Sequence, residues 1–428
     1  MERLLRPLSE VRPGEGPRAL LMLASLLLLM VSYYVLKTVR EPLILLHGGA
    51  ELRSYAAGAQ VLALFAWVPL YGWLTRRFGR VGLIAGLNGI FLVTLQLFYL
   101  GARTGMAHVG FAFFAWLGLF SVSAVSQFWS VANDLYARES GERLFPIIAI
   151  GAAVGSPLGS WIAGRLFASK VEPATMIQIA CALLVGHAAL ALWLARSPVE
   201  PSASPRDAPE RQGGFGMVLG RPYLRLIALL LIVLNVVNTT GEFILAKMVQ
   251  LAASTAPDGV AFVGSFYGSF YTKVNLLSTV LQALVVSRIV KHLGMRGVVL
   301  MLPIVALGTY GLAATGVSLA VLSWLKTAEN ATDYSVMNTG RALLWLPTTR
   351  EEKYRAKQTV DTFFVRFGDL ATSGLVFVGA SLSGQPTRFA AFNVLLIVAW
   401  LAIAWRLLAR HRALGRPDAD DPAAARAG

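Results

Sequence analysis

Two stretches, "LLMLASLLLLMVSYYVLKTVREPLIL" (residues 20–45) and "LRLIALLLIVLNVVNTTGEFILAKMV" (residues 224–249), decide the fold. Each holds an apolar run of the length that crosses a bilayer, about 20 residues at helical rise. Each then carries charged residues before its apolar character resumes. A shift of 201 residues lays Glu41 on Glu242 at the same place in the two runs. An unusual pattern repeated at nearly half the chain length predicts a protein built from two similar halves.

Working outward, twelve such runs appear, at about 19–46, 55–74, 81–100, 108–133, 146–168, 174–195, 223–247, 261–287, 297–315, 317–343, 359–381 and 387–408. Of the 428 residues 56% are hydrophobic and only 14% charged, against about 25% charged in a soluble domain. The composition predicts a polytopic integral membrane protein. The first run is expected to be a span and not a cleaved leader. Its apolar core is too long, and no small-residue cleavage site stands before "YYVLKTVRE".

The formal net charge of +15 would suggest nucleic acid on a soluble protein. Its distribution assigns it to topology instead. With twelve spans, the N-terminus, the even-numbered loops and the C-terminus share one side. They hold 27 of the 38 Lys and Arg, the other side holds 9, and Lys326 and Arg366 lie inside spans. Positive residues gather in the cytoplasm. The chain is therefore expected in the plasma (inner) membrane with both termini cytoplasmic and the lipid bilayer, not nucleic acid, as its partner. The single cysteine, Cys181, falls in the sixth run and reads as a small apolar side chain.

Residues 197–222, "SPVEPSASPRDAPERQGGFGMVLGRP", are rich in Pro, Gly, Ser and charge and predict a flexible cytoplasmic linker. It separates an N-terminal six-helix bundle over 1–196 from a C-terminal one over 223–410, with a disordered tail at 411–428. A second echo follows the second run of each half: "GWLTRRFGR" (72–80) and "SRIVKHLGMR" (287–296), in which a shift of 215 lays Gly79 on Gly294 and Arg76 on Lys291. Such a loop provides a tight glycine turn and holds cations against helix ends and lipid head groups. An ordinary positive cytoplasmic loop would read the same way. The first copy resembles the loop motif G-x-x-x-D-R-x-G-R-R of the major facilitator superfamily, with Arg76 where that family usually has Asp. With the six-plus-six repetition, the resemblance implies an all-α, major-facilitator-like fold of twelve transmembrane helices, two six-helix repeats around a central cavity. In the fifth run, "GAAVGSPLG" places Gly151, Gly155 and Gly159 on one helix face. That spacing predicts close helix packing rather than ligand contact, with Pro157 breaking the helix locally.

A charge at mid-bilayer costs about 2.5–3.5 kcal/mol, so it faces a cavity or a partner. The first run carries Lys37, Arg40 and Glu41, with Tyr33 one turn before Lys37; the seventh carries Glu242 and Lys247. The eighth carries Lys273 behind the aromatic "FYGSFY". Lys247 and Lys273 lie near span ends, where long side chains snorkel to the interface. In the tenth run, "LSWLKTAENATDYSVM" (322–337) places Lys326, Glu329, Asn330 and Asp333 at spacings of three, four and seven, on one helical stripe. These charges cannot all snorkel at once, and they read as the cavity-facing side of a transport helix. Two alternatives stay open: Lys326 can pair with Glu329, and in the eleventh run Arg366 can pair with Asp369. His187, alone in the sixth run, reads as a packing residue rather than a proton relay.

Three stretches resemble the non-mitochondrial ATP/ADP translocases of plastids and intracellular bacteria: "SYYVLKTVREPLIL", "FWSVANDLYARESGERLFPIIAIGA" and "ATDYSVMNTGRALLWLPTTREEKYRAKQTVDTFFVRFGD". The resemblance covers both halves and implies nucleotide exchange on a facilitator-like fold. Carried over by position, it implicates Lys37, Arg40, Lys357 and Asp361. Three departures stand out. Arg40-Glu41 stands where the family has Lys-Asp, Asp333 where it often has Lys, and Asp369 where R-x-G-K would end in Lys. Two expected cations are acids here, while a triphosphate wants net positive potential. The departures point to a solute less charged than ATP, such as a mononucleotide, a nucleoside or a phosphorylated metabolite.

The first function this reading predicts is a secondary transporter exchanging a nucleotide or related organic anion by alternating access, with Lys37, Arg40 and Arg366 holding the anion. Tyr33, Tyr267 or Tyr271 would stack a base. The alternative is a proton-coupled transporter of another small solute, with Glu242, Glu329, Asp333 and Asp361 as proton carriers. A membrane enzyme or a non-transporting scaffold is the remote third. The chain has no P-loop, no H-E-x-x-H, no G-x-S-x-G and no Cys/His cluster, its five histidines are scattered, and neither cofactor nor metal is expected. Oligomeric state stays open.

Overall fold

The structure is a computed structural model that describes residues 11–12, 14–197, 214–349, 351–382 and 384–414. Every apolar run forms helix, because in hydrocarbon a segment must satisfy its own backbone N–H and C=O groups. The first half comprises α1 (Glu15–Arg77), α2 (Arg80–Arg103), α3 (Val109–Leu135), α4 (Arg138–Ala168) and α5 (Pro173–Ala195). The second begins with the short α6 (Gly214–Gly220), then α7 (Pro222–Ala253), α8 (Gly259–Val280) and α9 (Val286–Ala314). It continues through α10 (Leu319–Thr332), α11 (Asn338–Leu343), α12 (Lys357–Thr359), α13 (Val365–Leu382) and α14 (Pro386–Leu414). Among the described residues there are nine helical stretches long and apolar enough to cross a membrane.

Two of these stretches contain a break at a glycine. Gly49 inside α1 has φ 72° and ψ −176°, and Gly294 inside α9 has φ 58° and ψ −154°. Only glycine adopts these angles without a Cβ clash. The break at Gly49 falls between the first two apolar runs and the break at Gly294 between the eighth and ninth. Gly79, the partner of Gly294 in the sequence echo, is the extended residue that separates α1 from α2. The loop does hold cations at helix ends: Arg76 and Arg77 lie in the last turn of α1, and Arg80 donates to the Ala195 carbonyl at the end of α5.

The chain divides into two compact units, one of residues 11–197 with 246–276 and one of 214–245 with 277–414. The division runs through α7 and α8. In the first unit the glycine stripe of α4 packs on α1. A Cβ at Gly151 would lie 2.5 Å from the Leu23 carbonyl oxygen, one at Gly155 2.9 Å from that of Leu27, and one at Gly159 2.6 Å from that of Val31. Pro157 does not interrupt α4, which is helical from Arg138 to Ala168 through both Pro146 and Pro157. A ring facing a packed neighbour costs one backbone bond, and the surrounding contacts keep the helix intact.

Four π-helical turns occur among the described residues of the second unit, at Leu281–Val285, Asp333–Met337, Glu352–Ala356 and Val360–Phe364. One begins at Asp333, one immediately precedes Lys357 and one contains Asp361. Such turns concentrate at functional sites, because they re-aim the side chains beyond them. Residues 214–220, placed by composition in the linker, form α6. The expected linker residues 198–213 and the tail residues 415–428 lie outside the described residues. Helix α14 runs through 411–414, past the bundle end expected at 410, because His411 Nδ1 hydrogen-bonds the Tyr223 hydroxyl at 2.8 Å.

Candidate functional site

In the first unit, three cations gather around one carboxylate. Glu41 is fully buried. Arg53 Nε donates to its Oε2 at 2.8 Å, the Tyr271 hydroxyl donates to its Oε1 at 2.8 Å, and the Arg40 guanidinium also donates to Oε1. Arg40 and Arg53 both lie over the Phe114 ring, at 4.0 Å and 5.8 Å from its centroid. One turn earlier on α1, Lys37 Nζ sits 4.4 Å from the Tyr271 ring centroid and 5.1 Å from that of Tyr34. The Tyr34 hydroxyl donates to Asn275 Oδ1 at 3.1 Å, and Tyr33 packs edge-on against Tyr34. Lys37, Arg40 and Arg53 thus lie close to one carboxylate, with aromatic rings packed against all three cations.

The same unit contains Lys247 and Lys273. Lys247 does not end in a headgroup: its Nζ bonds Glu51 Oε1 at 2.7 Å. Three residues on, the Gln250 side-chain oxygen accepts from the Ala50 N–H at 3.1 Å, next to the break at Gly49. Lys273 is half-buried. His187 is buried, and its Nδ1 lies 3.0 Å from both the hydroxyl and the carbonyl oxygen of Ser25.

In the second unit, the stripe on α10 is turned into neighbouring helices. Lys326 is fully buried, and Glu329, Asn330 and Asp333 are each less than 9% exposed. Lys326 Nζ contacts Glu329 Oε2 at 3.0 Å, the Tyr310 hydroxyl oxygen at 3.2 Å, Asn238 Oδ1 at 3.3 Å and Glu242 Oε1 at 3.9 Å. Tyr310 donates to Glu329 Oε1 at 2.9 Å, and Asn330 donates to Glu242 Oε1 at 2.9 Å. Asp333 instead accepts from Arg341 Nη2 at 2.9 Å. Asp369 accepts from Thr239 at 2.8 Å and from Asn235 at 3.0 Å, with Arg366 at 3.6 Å. Both pairings left open by the sequence, Lys326 with Glu329 and Arg366 with Asp369, are present. Lys357 is half-buried and Asp361 exposed.

The predicted residues thus fall into two sets, one in each unit. Tyr33, Lys37, Arg40 and Glu41 share the first with Lys273 on α8 nearby in sequence to Tyr271. Glu242, Lys326 and Glu329 form one network of the second, and Asp333, Arg366 and Asp369 lie in separate pairs. Sequence reading missed Arg53, Phe114, Asn238, Tyr310 and Arg341. Arg53 carried a signal, being a lone cation between the first two apolar runs, but nothing local ties it to Glu41.

No family model matches the chain. The chain is 24% identical over 337 residues to the ADP,ATP carrier protein 1 of Chlamydia muridarum, in an alignment covering 67% of this chain. The chain spans about 62% of the length of that relative. Among solved structures, the nucleoside transporter NupG superposes with a TM-score of 0.66 at 12% identity, over 91% of this chain and 98% of NupG. The POT-family transporter PepTSo gives a TM-score of 0.64 at 15% identity, over 94% of this chain and 99% of PepTSo. The chain therefore has the major-facilitator-like fold of an integral, multi-pass membrane protein.

Proposed function

We propose that this protein is a secondary transporter that exchanges a nucleotide or related organic anion by alternating access. Twelve segments cross the membrane in this reading: the nine apolar stretches, with those broken at Gly49 and Gly294 each counted as two, and the charged stretch over 317–343. Both termini face the cytoplasm of an inner membrane, as the loop charges require. The protein acts on its solute without chemical change, so it is not an enzyme, and it needs no cofactor.

The observation that carries this reading is the gathering of Arg40 and Arg53 on the buried Glu41, over the Phe114 ring, with Lys37 one turn away against Tyr34 and Tyr271. Arginine forks favour carboxylate and phosphate oxygens, and the tyrosine rings offer faces for a base. The likeness to ADP,ATP carriers supports an anionic, nucleotide-class solute. Asp333 and Asp369, acids where the resemblance has cations, suit a mononucleotide or nucleotide-like anion better than a triphosphate.

A second reading has its own observation. The network of Glu242, Glu329, Lys326 and Tyr310 sets two carboxylates, the buried Glu329 and the half-buried Glu242, beside one lysine. A carboxylate taken out of water favours its protonated form, so coupling of transport to protons through this network is the alternative.

Counterflow in proteoliposomes tests the first reading. Vesicles preloaded with unlabelled ATP, ADP, AMP or a phosphosugar are offered the matching labelled compound. Accumulation that requires internal nucleotide, and that falls at least tenfold in Arg40→Ala, is the expected result. Flat signals for every anion, with uptake of another solute driven by an imposed pH gradient, would replace it with the second reading.

A further inference from the structure

We infer that the second unit carries a binding site for an anionic phospholipid headgroup in the groove between the start of α7 and the end of α14. This groove, of about 540 Å³, is separate from both charged sets described above. Arg225 reaches it from α7, and Arg406 and Arg410 reach it from α14. Arg406 and Arg410 stand four residues apart, on one helix face. Between the guanidiniums lie Pro222, Leu226 and Leu229, and no acidic residue lines the groove. Among the described residues, no ion pair involves any of the three arginines.

The placement fits a lipid better than a dissolved ion. Tyr223 on α7 meets His411 on α14 at 2.8 Å, which fixes the level at which the two helix ends lie side by side. Arg410 is next to that level, and Arg406 lies about 7 Å further along α14. Leu229, 45% exposed, continues the groove about 9 Å along α7 from Tyr223. Trp405, 60% exposed, precedes Arg406, and exposed Trp marks the headgroup zone of a bilayer. A groove that starts basic at the helix ends and turns aliphatic toward the span matches a phosphodiester joined to acyl chains. The first turn of α7 adds the positive end of a helix dipole. By the orientation proposed above, this end faces the cytoplasmic leaflet, where basic pockets between spans take anionic headgroups. Three guanidiniums match a headgroup with two phosphodiesters, of the cardiolipin type, more closely than one with a single phosphate.

The test uses the full-length purified protein in detergent. Cardiolipin, phosphatidylcholine and inorganic pyrophosphate are titrated separately, with bound lipid read by native mass spectrometry and protection read by thermal unfolding. Cardiolipin is expected to bind and raise the melting temperature, while phosphatidylcholine does neither. The triple variant R225Q/R406Q/R410Q is expected to lose at least tenfold in cardiolipin binding, and R225K/R406K/R410K to retain most of it. Should the triple glutamine variant fail to fold, Arg406→Gln and Arg410→Gln alone are each expected to lose about threefold. Equal cardiolipin binding by the glutamine variants would overturn the inference. So would equal binding of phosphatidylcholine, and protection by pyrophosphate matching that by cardiolipin would reassign the groove to a free phosphate.

Discussion

Glu41 and Arg53 are twelve residues apart in one helical stretch, yet Arg53 Nε stands 2.8 Å from Glu41 Oε2. A straight helix would separate their Cα atoms by about 18 Å. The break at Gly49 turns the chain back on itself and brings the second cation to the buried carboxylate. The anion-binding character proposed for the first unit depends on that turn.

Removing Arg53 leaves Glu41 buried with one arginine and a tyrosine. Arg53→Ala is expected to cost about 3–5 kcal/mol, the range for breaking a buried ion pair by deleting one partner. Thermal unfolding in detergent measures it, and Arg53→Ala with Glu41→Gln should recover part of the loss. A melting temperature equal to that of the parent would show that Arg53 does not hold Glu41.

The position of Gly49 can be tested through its backbone. Gly49→Ala places a Cβ at φ 72°, with Gln250 Nε2 2.9 Å away. Strain of this kind costs about 1–3 kcal/mol. Gly86→Ala on α2, where nothing lies within 4 Å of the new Cβ, is expected to be neutral or stabilising by up to about 1 kcal/mol. Comparable melting of the two variants would count against the break as a structural requirement.

Lys326 lies within 4 Å of both Glu329 and Glu242. Lys326→Met should destabilise by about 3–5 kcal/mol by leaving the buried Glu329 without this counter-charge. Adding Glu329→Gln should restore much of it, a coupling that a double-mutant cycle measures directly. Additive losses would mean that the two side chains do not act as a pair.

The packing role of His187 predicts an unchanged pH profile of transport in His187→Gln. Stability should fall by about 1–2 kcal/mol for the lost hydrogen bond to Ser25. A flattened pH profile would instead place His187 in proton transfer.

Close packing of α4 on α1 makes a steric demand on the glycine stripe. At Gly159 a Cβ would lie 2.6 Å from the Val31 carbonyl oxygen, so Gly159→Ala is expected to cost about 1–3 kcal/mol by forcing the backbones apart. Loss of folded protein on size-exclusion chromatography, or a lowered melting temperature, reads this out.

The helical segments, the glycine stripe and the charges within spans were legible in the sequence. Each is a local property: twenty apolar residues must form helix in hydrocarbon, and a three-four spacing puts side chains on one face. The second echo was legible for the same reason, since Gly79 and Gly294 both sit where the chain must leave a helix. Continuity through Pro157 was not, because neighbouring packing decides whether a proline ends a helix. Partners were not legible either. Lys326 could be seen beside Glu329 on one helix, but Tyr310 and Asn238 come from two others. The sequence by itself determined which residues are charged inside the membrane and which elements hold them. Only the tertiary structure decided which charges meet, because Arg53 with Glu41, or Lys326 with Glu242, join segments whose approach depends on helix packing and on a backbone break at one glycine.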